Sequence, residues 1–591
     1  MGDNPSDTLQ RLIKHFTKYQ IEFELDDKCR DILDSIKRAV ESFQRVLKDG
    51  LSAKIRINKH DLKELQDFLH PSFKRQLTNR QLQGVYHLLK VHNGANLSVP
   101  GSGKTSVVLA YYYILRVKKE VDAMLVIGPS SCFEPWETEC QACFKKTPKI
   151  LRLAGQPRDK RHELYLLSTN YQILLTTYHS AARDTEQLAK VLRSRRYLLV
   201  LDESHYVKRP QGGILADTVL KLAPYARQRI VLTGTPMPNG LADLWTQFTF
   251  LWHDQLPLGT VESYLRKIQG DNKEDALSWV HHVLSPLFFR VTKHELALPR
   301  PVFHICKCEM SPLQARIYRG VAARFLLQTS ELPRDQEILR EWRRARAIRL
   351  LQIASNPALL RSTCDEFQLP PLDMKDVPLR NAIEHYSSYE LPSKIKFTCD
   401  IVREKCEKGQ KVIVWSTFVH NLIMVSNQLK DFSPIVVHGG IPLVSSTIDE
   451  FDRERLIHKF KTSSNALVLI ANPAACAESI SLHKVCHDAI YLDRSFNCAH
   501  YLQSLDRIHR LGLGPKDIVS YYLILSKDSI DEIVHSRLHD KMQNMRKVIE
   551  SKFPNEVPGY WSNDLGEEEE RDFNLVEEHI QDIAKHHVRK T

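Results

Sequence analysis

Two series of short runs, apolar on both faces and separated by stretches of helical periodicity, constrain this chain more than any other feature. The first holds "AMLVIGP" (123–129), "YQILLTTYH" (171–179), "YLLVLDE" (197–203) and "RIVLTGT" (229–235). The second holds "KVIVWS" (411–416), "PIVVHGG" (434–440), "NALVLIAN" (465–472), "DAIYLD" (488–493) and "YYLIL" (521–525). A strand that is apolar on both faces must be covered on both sides. Intervening helices supply that cover and the crossovers that parallel strands require. The expectation is an α/β chain with two parallel-sheet lobes, and 591 residues suffice for both and for further regions.

Around these lobes, residues 1–70 read as a helical N-terminal region in which Ile32, Ile36, Val40, Phe43 and Val46 recur at three- and four-residue steps. Gly50 is expected to end that helix. Lobe one is assigned to 71–254, a helical and basic linking region to 255–392, lobe two to 393–550 and an acidic tail to 551–591. The densest basic helix, "REWRRARAIRLLQIA" (340–354), admits two readings: it lies on a phosphate backbone, or it solvates its own outer face.

A net charge of +12 and a pI near 9.0 favour a polyanionic partner. No window approaches the roughly 18 uninterrupted apolar residues of a membrane span, and the first residues carry no apolar signal core. The expected address is therefore intracellular, nuclear in a eukaryote and cytoplasmic or nucleoid in a prokaryote. Twelve cysteines without framework spacing fit reduced thiols. Cys140 and Cys143 are three apart, as on one face of a buried helix, and no second pair stands near to complete a zinc site.

"SVPGSGKT" (98–105) has the spacing of a phosphate loop with Ser98 in place of the usual first glycine. The backbone through Gly101, Ser102 and Gly103 can turn its N–H groups onto phosphates. Lys104 would reach the β and γ oxygens, Thr105 would take a Mg2+ site, and the helix running on from Ser106 would point its positive end at the same anion. The strand "YLLVLDESH" (197–205) ends in adjacent carboxylates, Asp202 to hold Mg2+ through water and Glu203 to polarise an attacking water. Loop and carboxylates together imply an ATPase. In "HYLQSLDRIHRLG" (500–512), Arg507 and Arg510 are three apart, so both guanidinium groups can enter one gap and supply positive charge from a second lobe.

The ordered set "RQLQGVYHL", "SVPGSGKT", "VIGPSSCFEPWETE", "ILLTTYHS", "LDESHYVK", "LTGTPMPNGLADLW", "KVIVWSTF", "VVHGG" and "QSLDRIHRLG" resembles the Swi/Snf-related DNA translocases of helicase superfamily two, over roughly residues 71–550. The resemblance implies two RecA-like lobes, ATP and Mg2+ as cofactors, and double-stranded DNA as partner. It implies that Gln81 recognises adenine, that Thr233, Gly234 and Thr235 couple nucleotide state to the nucleic acid, and that Ser416, Thr417, His438, Gly439, Gly440 and Gln503 sit at or near DNA. Two departures stand out. "ANPAACAESISLH" (471–483) lacks the family's glycines, leaving Glu478, Ser479 and Ser481 to substitute side-chain contacts, and Leu513 replaces a common glutamine. The implied activity is duplex translocation that remodels DNA or displaces bound proteins, with targeting supplied by protein partners, as in a larger machine or a prokaryotic repair or defence system. A strand-separating DNA or RNA helicase and an inactive scaffold are the alternatives.

Overall fold

The computed structural model describes residues 5–588 except 56, 155–157, 208–212, 235, 238–240, 270–272, 293, 297, 328–335, 362–376, 442–451, 474–480 and 551–564. Its first sheet is built from β1 (Gly94–Asn96), β2 (Ala123–Gly128), β3 (Ile150–Arg152), β4 (Ile173–Thr177), β5 (Tyr197–Leu201), β6 (Gln228–Leu232) and β7 (Phe288–Phe289), ordered β3-β4-β2-β5-β6-β1-β7. The second holds β8 (Val302–Cys308), β9 (Val412–Trp415), β10 (Ile435–Val437), β11 (Val468–Ala471), β12 (Asp488–Tyr491) and β13 (Ser520–Ser526), ordered β10-β11-β9-β12-β13-β8. Every pairing in both sheets is parallel. β2, β5 and β6 are buried along their whole length, which is why they read as unbroken apolar runs.

The 255–392 segment contributes a strand to each sheet. β7 closes the edge of the first sheet against β1, and β8 forms the edge of the second against β13. Neither has the apolar run of a central strand: β7 is two residues long, and most of β8 is exposed. Each lobe thus ends on a strand from the chain that joins them.

Two expectations about helices are corrected. The helix Asp27–Ile55 does not stop at Gly50 but runs through it. Gly50 is buried because the helix crosses Pro286 so closely that a Cβ would overlap its carbonyl oxygen and come 2.8 Å from Val91 Cγ1. The glycine serves close packing here and is not a stop signal. On the next turn, Lys54 donates to the Ser285 carbonyl and stands 3.8 Å over the Phe288 ring.

Both readings of the basic helix Gln336–Ser355 turn its arginines outward, whereas most of those described face inward. Arg346 and Arg349 are buried, Arg346 lies against the rings of Trp342 and Phe325, and Arg343 pairs with Glu577. Among residues 343–349 only Arg344 is an exposed arginine. Glu577 belongs to the tail helix Leu565–Val588, which buries Phe573, Val576 and Ile580 and places Asp572 between Arg537 and Lys541. Cys140 and Cys143 lie buried on the helix Phe133–Cys143, as their spacing predicts. Among the described residues no helix is long and apolar enough to cross a membrane.

Candidate nucleotide site between the two lobes

The turn after β1 has Gly101 at φ +80° and Gly103 at φ +81°, backbone that side chains rarely adopt, and the helix Lys104–Val117 starts immediately behind it. A Cβ at 103 would collide with the Gln81 amide, whose Nε2 donates to the Ser102 carbonyl at 3.3 Å. Gln81 also closes a capping box with Thr78 at the start of the helix Asn79–Val91, so it is held from both ends. Lys104 Nζ donates to the carbonyl of Ser98 at 3.0 Å. The position where serine replaces glycine therefore parks the lysine by its backbone, which any residue could do. Burial pushes the Lys104 pKa down, and Glu203 and Asp202 oppose that shift. Thr105 is half-buried beside it, whereas Ser106 is fully buried and gives its hydroxyl to Glu139, which Arg75 also contacts.

At the end of β5, Asp202 accepts on both oxygens. Trp136 Nε1 donates to Oδ2 at 2.8 Å and the Glu203 N–H to Oδ1 at 2.9 Å. Glu203 has φ +48°, a left-handed conformation for a residue with a side chain and a mark of backbone held under constraint. Its Oε2 lies 3.3 Å from His205 Nδ1, which lies 3.5 Å from Thr233 Oγ1. Beside Thr233, a Cβ on Gly234 would reach Pro100 Cδ at 2.6 Å, so the turn after β6 rests directly on the phosphate loop.

The two carboxylates are held apart electrostatically. Burial and the neighbouring Glu203 charge raise the Asp202 pKa. For Glu203, burial is outweighed by His205, Lys104 and Arg507, and its pKa is lowered. The direction of that shift favours the ionised form that a water-polarising base requires. Asp202 carboxylate oxygens and the Thr105 hydroxyl are hard-oxygen donors of the kind that suits Mg2+, and Asp202 keeps lone pairs beyond its two accepted hydrogen bonds.

The second lobe reaches this site through the turn that follows the helix Cys498–Leu505. Arg507 is buried and its Nε donates to the Gln503 carbonyl at 2.8 Å. Arg510 lies against the loop itself, where a Cβ on Gly101 would meet Arg510 Cβ at 3.2 Å. Burial lowers the Arg510 pKa, and Asp506, Glu139 and Glu203 are the carboxylates that oppose this. Lys104, Asp202, Glu203, Arg507 and Arg510, drawn from both lobes, thus converge on one cleft.

The other sequence candidates are placed differently. Ser416 is fully buried, and its hydroxyl donates to Asp493 Oδ2 at 2.6 Å, in a network with Asn421 and Ser355. Its side chain is committed to the lobe interior. Thr417 is anchored by its N–H on Asp493 Oδ1. Gly439 and Gly440 are exposed, with His438 Nδ1 accepting from Gly440 N, and Arg453 donates to the Gly439 and Ile441 carbonyls at 2.8 and 2.6 Å. Ser481 pairs with His483 Nδ1 at 2.9 Å. Thr235, Glu478 and Ser479 lie outside the described residues. Sequence reasoning missed Trp136, Glu139 and His205. The first two stand in "EPWETE", a string that announces a helix but not which residue points at Asp202.

The SNF2-related domain matches residues 80–366 and the helicase conserved C-terminal domain residues 393–512. Similar curated proteins include the ISWI chromatin-remodeling complex ATPase ISW2 of Saccharomyces cerevisiae, 25% identical over 509 residues, covering 81% of this chain and 42% of that protein. Another is the chromatin structure-remodeling complex subunit snf21 of Schizosaccharomyces pombe, 23% identical, covering 81% of this chain and 40% of that protein. The chain spans less than half the length of these relatives. Among solved structures, the Sulfolobus solfataricus SWI2/SNF2 ATPase core in complex with dsDNA is 22% identical with a TM-score of 0.37, covering 85% of this chain and 97% of that one.

Proposed function

The chain belongs to the SNF2-related family of helicase superfamily two, and from that premise we propose that it is an ATP-driven translocase on double-stranded DNA that remodels DNA or displaces bound proteins. The observation that carries the reading is the composite cleft: Arg507 and Arg510 of one lobe stand against the phosphate loop and carboxylates of the other. A site divided in this way makes hydrolysis depend on the relative position of the lobes, which is what a motor requires.

In this mechanism the backbone at Gly101 and Gly103 and the start of the Lys104–Val117 helix bind the phosphates. Lys104 moves from the Ser98 carbonyl to the β and γ oxygens. Thr105 and Asp202 would hold Mg2+, which when bound neutralises phosphate charge. Glu203, ionised and fixed by His205, takes a proton from the attacking water. Arg507 and Arg510 stabilise the charge that builds on the γ-phosphoryl group. The Glu203–His205–Thr233 contacts and the seat of Gly234 on Pro100 give the site a route by which nucleotide state can shift the turn after β6. The His438–Gly440 turn, exposed at its two glycines, is assigned to the DNA backbone. Targeting is assigned to protein partners, as the names of the relatives, subunits and ATPases of remodeling complexes, suggest.

The test is the ATPase rate of the unaltered protein and of Glu203→Gln with no nucleic acid, duplex DNA, single-stranded DNA or RNA, at one fixed salt concentration. Stimulation by duplex is expected, with a loss of at least about 100-fold in the variant, the scale of removing a general base. Stimulation by single strands or RNA alone would overturn the duplex reading in favour of a strand-separating helicase. Absence of turnover under every condition would favour a scaffold.

A further inference from the structure

The helix Phe133–Cys143 has two working faces. Its inner face sends Trp136 to Asp202 and Glu139 to Ser106. Its outer face carries Glu134 and Glu137 toward the second lobe. There Arg152, the last residue of the edge strand β3, is gripped by Glu137 through two hydrogen bonds of 2.7 and 2.6 Å. The same guanidinium reaches Glu454 of the second lobe with three contacts of 3.3 Å. Lys461, on the same helix as Glu454, stands 3.7 Å from Glu134. Next to Glu454, Arg453 holds the carbonyls of Gly439 and Ile441 and so fixes the turn after β10.

We propose that the Arg152, Glu137 and Glu454 cluster is a reversible latch between the lobes, and that the Phe133–Cys143 helix carries its state to Asp202. The geometry is that of a latch because the two ends of the cluster are unequal. The short, two-pronged pair lies within lobe one and survives opening, so parting the lobes strands no bare charge on Arg152. The longer contacts to Glu454 are the ones that break. The three side chains are 24, 31 and 24% exposed, enough for water to replace the inter-lobe contact when it is lost. On one side of the latch stands the residue that donates to Asp202. On the other stands the arginine that ties down the His438–Gly440 turn. The cluster therefore joins the nucleotide site to the turn assigned to DNA, and in its functional consequences it rests on the translocase reading.

The test is a charge-exchange cycle in the full chain: Arg152→Glu, Glu454→Arg and the double exchange, each examined by small-angle X-ray scattering without nucleotide and by binding of a fluorescent ADP analogue with Mg2+. Each single reversal is expected to shift the balance from closed toward open about tenfold, to enlarge the radius of gyration and to weaken the Mg2+-dependent binding. The double exchange should restore both, because the arginine moved to the second lobe then faces two carboxylates. In a Trp136→Phe background the reversals should still open the lobes but no longer alter analogue binding. Single variants that scatter like the unaltered protein, or a double exchange that fails to restore compactness, would overturn the latch. Reversals that change binding equally with and without Trp136 would overturn transmission through the helix. Scattering needs no turnover, so these outcomes stand apart from failure of the ATPase assay with duplex.

Discussion

Asp202, a candidate for the nucleotide site, shows how much of such a residue is made by its neighbours. Its two oxygens are aimed by the Trp136 indole and by the N–H of a strained Glu203, while burial works against its charge. Replacing Trp136 by Phe keeps a ring in the pocket and removes only the donor. A lost hydrogen bond to a charged group costs about 1.5–3 kcal/mol. The Mg2+ concentration for half-maximal nucleotide binding should therefore rise by roughly tenfold or more, with a modest fall in melting temperature from the same lost bond; an unaltered Mg2+ requirement in a titration would refute this role. The carboxylates, the lysine and the arginines were legible in the sequence because their chemistry is local and their spacing short. Trp136 and His205 were not, because each owes its role to one contact with a residue that no periodicity identifies.

At the scale of the element, Gly50 is a case where a local rule pointed the wrong way. A glycine after an apolar helical pattern commonly ends a helix, but here the helix Asp27–Ile55 continues and uses the missing side chain to approach Pro286. Gly50→Ala would be favourable in an isolated helix, by about 1 kcal/mol. In this protein the overlap with Pro286 should reverse the sign and cost about 1–3 kcal/mol, as overpacking does. Thermal unfolding would decide, since a melting temperature at or above that of the unaltered protein would show that the contact is not tight. The basic helix Gln336–Ser355 teaches the same lesson. Arg346 faces inward onto Trp342 and Phe325 and Arg343 onto Glu577, the latter an arrangement that required the tail helix to be present.

For the whole molecule, the tail is part of the packing of the second lobe. Val576 and Ile580 join the same apolar cluster as Tyr318 and Ile530, and Asp572 answers two cations, the buried Lys541 and the partly buried Arg537. Removal of residues 551–591 should lower the melting temperature by several degrees and raise hydrogen exchange in the helices Pro312–Leu327 and Ile530–Glu550, because apolar surface is uncovered and two cations lose their carboxylate. Unchanged exchange in those helices would mean that the tail only rests on the lobe.

The sequence by itself determined the two parallel sheets, the phosphate loop, the paired carboxylates and the arginine turn. These are written in short windows, as apolar runs of strand length or as residues a few positions apart, and local physics reads them directly. Only the tertiary structure decided that one linking segment donates an edge strand to each sheet, that Ser416 is turned into the lobe interior, and that Arg152 is shared between carboxylates of both lobes. Each of these depends on which distant surfaces meet, and such meetings are set by the packing of completed elements, which leaves no period in the chain.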